Sequence, residues 1–278
     1  MIRYREWLPR AALRHAIECI WTLRGARPHD APPDRILPDG CMELVINAGD
    51  AFHRFHDDDS IERQPRLMLV GQLTRPVVVR PGAHIDLIGI RFQPAGARPF
   101  FDVPARELAG RTLVLSDVSA AFAVDIEACL AYTTSSADRV QRIEHVLERR
   151  LRRAARDDDV AVRNAVSVIL ERGGNLHIDR LATTLGLSER ALQRRFDAWV
   201  GLKPKTLARI ARFQHVFRAL EHGGDAWAAV AVRCGYYDQS HLLRDFRDFA
   251  GESPAALFAR EIPITRVFTR ARRLSESP

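Results

Sequence analysis

A repeat in the last third of the chain constrains its fold more than any other feature. Ala182 and Gly186 recur 49 residues later as Ala231 and Gly235; Ser188, Leu192, Phe196, Gly201 and Pro204 recur 50 residues later as Asp238, Leu242, Phe246, Gly251 and Pro254. One extra turn residue accounts for the change of offset. Each copy reads as two short helices crossing over a tight turn. The alanine is small enough for the second helix to approach, and the glycine ends the first helix in a left-handed conformation that costs it no Cβ clash. Ser188 and Asp238 then stand as N-caps of the second helix, and leucine and phenylalanine four apart turn one of its faces inward.

The opposite face is free. In the first copy it carries Arg190, Gln193, Arg194 and Asp197, and in the second Gln239, Ser240, Leu243, Arg244 and Arg247. Arginine matches the N7/O6 pair of guanine, glutamine matches adenine, and leucine can meet a thymine methyl. A single Arg/Gln-rich face is ordinarily just solvated surface. Two at the same position of a repeated motif point to a reader of duplex DNA, with Arg190, Gln193, Arg194, Gln239, Ser240, Arg244 and Arg247 as its contacts.

Between the copies, Pro204 opens a helix whose stripe Leu207, Ile210, Phe213, Phe217 and Leu220 faces inward until Gly223 and Gly224 stop it. Such a strut is about 25 Å long at 1.5 Å per residue. Successive major-groove faces lie about 34 Å apart, so both recognition helices could enter neighbouring grooves of somewhat bent DNA. A tandem repeat has no two-fold axis, which predicts an asymmetric site for one chain. Lys203, Lys205, Arg209 and Arg212 are phosphate candidates, with solvated charge as the competing reading.

Residues from about 160 to 260 resemble the DNA-binding domain of the AraC/XylS family of bacterial transcriptional regulators, through the patterns LATTLGLSERALQRRF and GYYDQSHLLRDFRDFAGESP. The resemblance implies that Arg190, Gln193, Arg194, Gln239, Ser240 and Arg244 occupy DNA-contacting positions. Departures from the family pattern are Arg195 where an apolar residue is usual, Leu243 where a small or polar one is common, and Leu257-Phe258 where Tyr-Arg commonly follows Ser-Pro.

Residues 1 to about 120 differ in kind. Short β-branched runs (LVINAGDAF, LMLVGQLTRPVVVRPG, IDLIGIRF) between turn residues predict a β-rich sandwich or barrel. One early helix is expected at RAALRHAIECIWTL, where Leu13, Ile17 and Ile20/Trp21 fall at helical spacing. Flanking helices follow at 117–131 (Phe122, Ile126, Leu130) and 138–155 (Val140, Ile143, Leu147, Leu151). The second stripe fits packing inside the chain better than a dimer seam, so a homodimer stays open. Several segments, among them RILPDGCMELVINAG and LIGIRFQPAGARPFF, resemble N-terminal domains of a subset of AraC-like regulators. The expected organisation is α+β in two domains: a sensor-like unit over 1–155 that ends in helices, an all-α double helix-turn-helix domain over 156–262 beginning in a linker at Arg156–Asp159, and a mobile tail over 263–278.

Charge agrees with a polyanionic partner. Lys+Arg 42 against Asp+Glu 35 leaves +7, and Lys203 and Lys205 are the only lysines. Arginine-rich codon usage explains most of that bias. No apolar run reaches the roughly 20 residues of a membrane span, and the charged start MIRYREWLPR is unlike a signal peptide, so a soluble cytoplasmic protein is expected. Cys19, Cys41, Cys129 and Cys234 are too scattered for a metal pair or disulfide framework.

Few features suggest other chemistry. His53 and His56 before Asp57, Asp58, Asp59 and Glu62 read as a polar loop more readily than a metal site. His84 in PGAHIDL lacks the companion HxH of a cupin motif and reads as a strand entry. Cys41 is a buried small apolar residue on this reading, with a sensing thiol or alkyl acceptor as the alternative. Trp7, Trp21 and Phe92 line a pocket or fill a core. The function expected is a sequence-specific transcriptional regulator modulated through its N-terminal half by a small molecule or protein, needing no cofactor or metal and no catalysis, with duplex DNA and RNA polymerase as partners. The alternative is a metal-dependent or Cys41-based alkyl-acceptor enzyme that binds DNA only as an accessory; a scaffold that dimerises or contacts polymerase is a third.

Overall fold

The computed structural model describes residues 2–28, 31–131, 135–154, 159–220 and 226–259. Among these residues the first half holds ten strands: β1 Arg3–Trp7, β2 Ile17–Ala26, β3 Asp34–Ile36, β4 Glu43–Asn47, β5 His53–Phe55, β6 Ile61–Arg63, β7 Leu67–Val70, β8 Val77–Arg80, β9 His84–Phe92 and β10 Thr112–Val114. Six form one antiparallel sheet in the order β1-β2-β9-β4-β7-β10, and four form a second in the order β3-β8-β5-β6. Both sheets are open, so the unit is a sandwich rather than a barrel.

The larger sheet is covered on both faces. Trp21, Leu23, Val45, Met68 and Leu87 meet Val77 and Val79 of the smaller sheet. On the other face Ile20, Leu44, Ile46, Leu69, Ile88 and Ile90 pack with Phe122, Ile126, Val140, Ile143 and Leu147. Those last five belong to α2 (Leu115–Leu130) and α3 (Ser136–Arg153), while the short α1 spans Ala105–Leu108. The stripe on α3 is therefore used inside the chain.

The early helix is a correction. Only Ala11–Leu13 form a 3-10 turn, and Ile17–Ala26 is a strand paired along its length with β1 and β9. A bulge between Ile17 and Cys19 shifts the register, so Ile17 and Ile20, three apart, both join the core beneath the helices, as does Leu13. That spacing imitates one turn of helix. Cys19, Trp21 and Leu23 point to the opposite core.

The second half is helical: α4 Val160–Glu171, α5 Ile178–Thr184, α6 Glu189–Trp199, α7 Pro204–Leu220, α8 Trp227–Arg233, α9 Gln239–Ala250 and α10 Pro254–Phe258. Phe213 of α7 lies 5.0 Å from Phe246 and 5.4 Å from Phe249, ring centre to ring centre, at the middle of the helical core. Asp159 is the cap of α4, its Oδ1 accepting from the Val162 amide at 3.1 Å. The remainder of the expected linker, the stop at Gly223 and Gly224, and the tail over 263–278 lie outside the described residues. Among the described residues no helix is long and apolar enough to cross a membrane.

Candidate nucleic-acid interface

The two copies fold alike through the turn and the helix cap. Gly186 and Gly235 sit at φ +67° and +78°, the left-handed region their missing Cβ permits. Just after them the Leu187 amide donates to the Ala182 carbonyl and the Tyr236 amide to the Ala231 carbonyl, both at 2.9 Å. Tyr236 thus occupies the place of Leu187, and Tyr237 is the extra residue, almost wholly exposed. The caps are made: Ser188 Oγ accepts from the Ala191 amide at 3.2 Å and Asp238 Oδ1 from the His241 amide at 2.7 Å. Ala182, Ala231, Leu192, Phe196, Leu242 and Phe246 are buried.

With those faces turned in, Arg190, Gln193 and Arg194 on α6 and Gln239, Ser240, Arg244 and Arg247 on α9 are exposed, while Asp197 and Leu243 are half-buried. Helix α7 separates the two units with 17 residues, about 25 Å of rise. Leu207, Ile210, Phe213 and Phe217 are buried along it and Leu220 half-buried. A cleft of about 780 Å³ lies between the units, lined by Lys205, Arg209, Arg212, Arg244, His177 and His241 and by Asp179, Glu189 and Asp248.

The phosphate candidates separate into two kinds. Lys203 and Lys205 are exposed. Arg209 is engaged: its Nη2 donates to Oδ1 of buried Asp245 at 2.6 Å, and Asp248 takes a second bond. Burial opposes its charge, yet the bonds it donates to Asp248 and Asp245 outweigh that and leave its pKa raised. Arg212 donates to the Gly174 carbonyl at 3.2 Å and lies 5.2 Å over the Tyr236 ring. Arg195, the departure in α6, donates to Asp159 Oδ1 at 3.0 Å and so ties the recognition helix to the start of α4. Leu257 and Phe258 close the aromatic cluster, with Phe258 at 5.5 Å from Phe217 and 6.0 Å from Trp227. Sequence reading missed the Arg209, Arg212 and Arg195 ties. The Asp245/Asp248 pair at helical spacing was the one available signal.

In the sandwich, a cavity of about 70 Å³ lies between the sheets, lined mainly by Trp21, Ile36, Val45, Met68, Val79 and Leu87, with Gln64 and Glu43 as polar members. Arg91 is buried beside it, donating from Nε to Glu43 Oε1 at 2.8 Å with Asp39 at 3.4 Å. Burial works against the guanidinium charge, but Glu43 and Asp39 overcome it and raise its pKa. No periodicity announces this cluster.

The remaining candidates are placed as follows. Phe92 is a core residue packed against Phe100 and, edge-on, Phe101; Trp21 lines the cavity, and Trp7 packs at the edge of the core under Arg5. Cys41 is buried with its Sγ 3.4 Å from Glu18 Oε2. His84 opens β9, its amide held by Asp50. His53 lies in β5, and His56, in the turn just after it, pairs with Glu62 of β6 at 3.0 Å, with both side chains partly exposed. Among the described residues no three His, Cys, Asp or Glu side chains converge as metal ligands would.

Tandem helix-turn-helix units with capped, outward recognition helices define a DNA-binding domain. Residues 181–260 match a family described as "Helix-turn-helix domain", and residues 5–114 match a "Domain of unknown function (DUF6597)". The C-terminal third is thus a helix-turn-helix domain, preceded by a β-rich domain of a family whose function is unknown. No curated protein matches its sequence. Among solved structures it is similar to ToxT from Vibrio cholerae, at 9% identity over 93% of this chain and 98% of that one with a TM-score of 0.48. A structure of ToxT with an unsaturated fatty acid bound, also from Vibrio cholerae, gives 9%, 92%, 94% and 0.45. An AraC-type DNA-binding domain-containing regulator from Chromobacterium violaceum gives 22% identity over 36% of this chain and 89% of that one, at a TM-score of 0.33.

Proposed function

We propose that the chain regulates transcription by seating α6 and α9 in adjacent major grooves of an asymmetric duplex site. Arg190, Gln193 and Arg194 read one half-site and Gln239, Ser240, Arg244 and Arg247 the other, while Lys203 and Lys205 hold phosphates. The observation carrying this reading is that the corresponding exposed faces of two repeated, capped helices stand at either end of one 17-residue strut. The regulatory domain spans residues 1–155 and the DNA-binding domain 156–262, and a small-molecule effector of the sandwich adjusts DNA affinity. Duplex DNA and RNA polymerase make the bacterial cytoplasm the working compartment. No catalytic step enters the reading.

Fluorescence anisotropy with genomic fragments tests it. Log K should fall with log salt by about 0.9 per neutralised phosphate. Arg194→Ala and Arg244→Ala should each cost roughly 1–3 kcal/mol at the cognate site and little at random sequence. Equal losses on every sequence would make these side chains phosphate clamps, not base readers.

A further inference from the structure

The segment Asp34–Gly40 begins as β3 in the sandwich, passes against the DNA-binding domain at Leu37 and Pro38 and returns. Both ends are fastened to the sandwich: buried Asp34 is ion-paired with Arg27, and the Gly40 carbonyl accepts from Gln72 Nε2 at 2.8 Å. Between them, consecutive residues face different bodies. Arg35 donates from Nη1 to the Ala250 carbonyl, the last residue of α9, at 3.1 Å, and its Nε lies 3.4 Å from Glu252. Ile36 lines the inter-sheet cavity. Leu37 is buried within the hydrophobic core of the helical domain. The Pro38 carbonyl accepts from Gln214 Nε2 of α7 at 2.6 Å, both groups buried. Gly40, at φ +83°, lies so close to α7 that a Cβ there would stand 2.8 Å from Leu207 Cδ1.

Strand β3 is also the element of the sandwich best able to move. It has three residues, sits at the edge of the smaller sheet and pairs with β8 alone, Ile36 opposite Val77. Short edge strands with one-sided pairing lie at the low end of local stability. A change in what fills the cavity presses on Ile36, and its two chain neighbours are attached to α9 and to the helical core.

We infer that Asp34–Gly40 is a strap that sets the seat of the second recognition helix according to the state of the inter-sheet cavity, with Arg35 as the positioning residue. The inference rests on the regulatory reading above and names its route. It assigns α9, not α6, as the helix that answers, because Arg35 grips the end of α9 and Glu252 beyond it. Coupling of this kind ordinarily changes an equilibrium by about 5–150-fold.

The test is a double-mutant cycle in the full chain, read by amide hydrogen exchange without DNA. Val79→Phe fills the cavity from β8. It should change exchange over Arg247–Leu257 by at least about fivefold while α5 and α6 stay within twofold, and in an Arg35→Ala background the response should vanish. Arg35→Lys, which keeps the charge beside Glu252, should restore part of it. Should Val79→Phe fail to fold, Ile36→Ala empties the same cavity and must act through the same route. A response that persists in Arg35→Ala, or that reaches α6 equally, overturns the strap. On the cognate duplex Val79→Phe should alter affinity only while the half-site read by Arg244 is intact; an effect independent of that half-site also overturns it. A chain that binds no duplex at all yet shows the exchange coupling keeps the strap and refutes the DNA reading.

Discussion

Arg209, on the strut, donates both Nε and Nη2 to a single oxygen of Asp245 on the second recognition helix, at 3.0 and 2.6 Å. The pair fixes the angle between α7 and α9. A cation that looks available for phosphate is thereby committed to holding the reader in place.

Removing it should therefore damage stability first. Asp245 is buried, and Arg209→Ala leaves its carboxylate unpaired, which we expect to cost about 2 kcal/mol, below the usual range for buried pairs because the arginine is partly exposed. Arg209→Leu with Asp245→Leu should recover most of that loss in urea denaturation. The salt slope of DNA binding should fall by about 0.9 in Lys205→Ala and stay unchanged in the double leucine variant.

The cluster beside the inter-sheet cavity makes a steeper case. Arg91→Leu strands Glu43 and Asp39 with little water to solvate them and should cost roughly 3–5 kcal/mol. Adding Glu43→Leu should return a large part. If the double variant is no more stable than the single one, the two carboxylates are solvated by something other than Arg91.

Ser188→Ala and Asp238→Ala each remove the acceptor for a first-turn amide, at Ala191 and His241 respectively. Each should cost about 1 kcal/mol by chemical denaturation, and glycine at either place only a few tenths. On the proposed reading both should also weaken DNA binding, since each cap anchors the start of a recognition helix.

His215 on α7 gives the pH dependence. Burial, then the neighbouring Arg218 and Arg233, lowers its pKa below the ordinary value of 6.5. The unfolded chain then binds the proton more readily than the folded one, so this contribution is fully present above about pH 6.5 and declines as pH falls through that value. His215→Gln should flatten the thermal stability profile between about pH 7 and 5.5, and an unchanged slope would remove His215 as the cause.

How much could be read before the fold was known follows from where each instruction is stored. The turn glycines, the two caps, the Leu/Phe pairs and the outward Arg/Gln faces are local, each specified within a few residues, and the repeat states them twice. They determined the double helix-turn-helix and its candidate readers. The identity of β2 was not local: its partners β1 and β9 lie elsewhere in the chain, and the bulge at Ile17/Cys19 disguised a strand buried on both faces as a helix. Arg209 and Asp245 are 36 residues apart, Gln214 and Pro38 are 176, and Arg35 and Ala250 are 215. At such separations one-dimensional periodicity carries no trace of a pairing, so only the packed chain decides which charges are left exposed on the repeated helices and which tie those helices to the strut and to the sandwich.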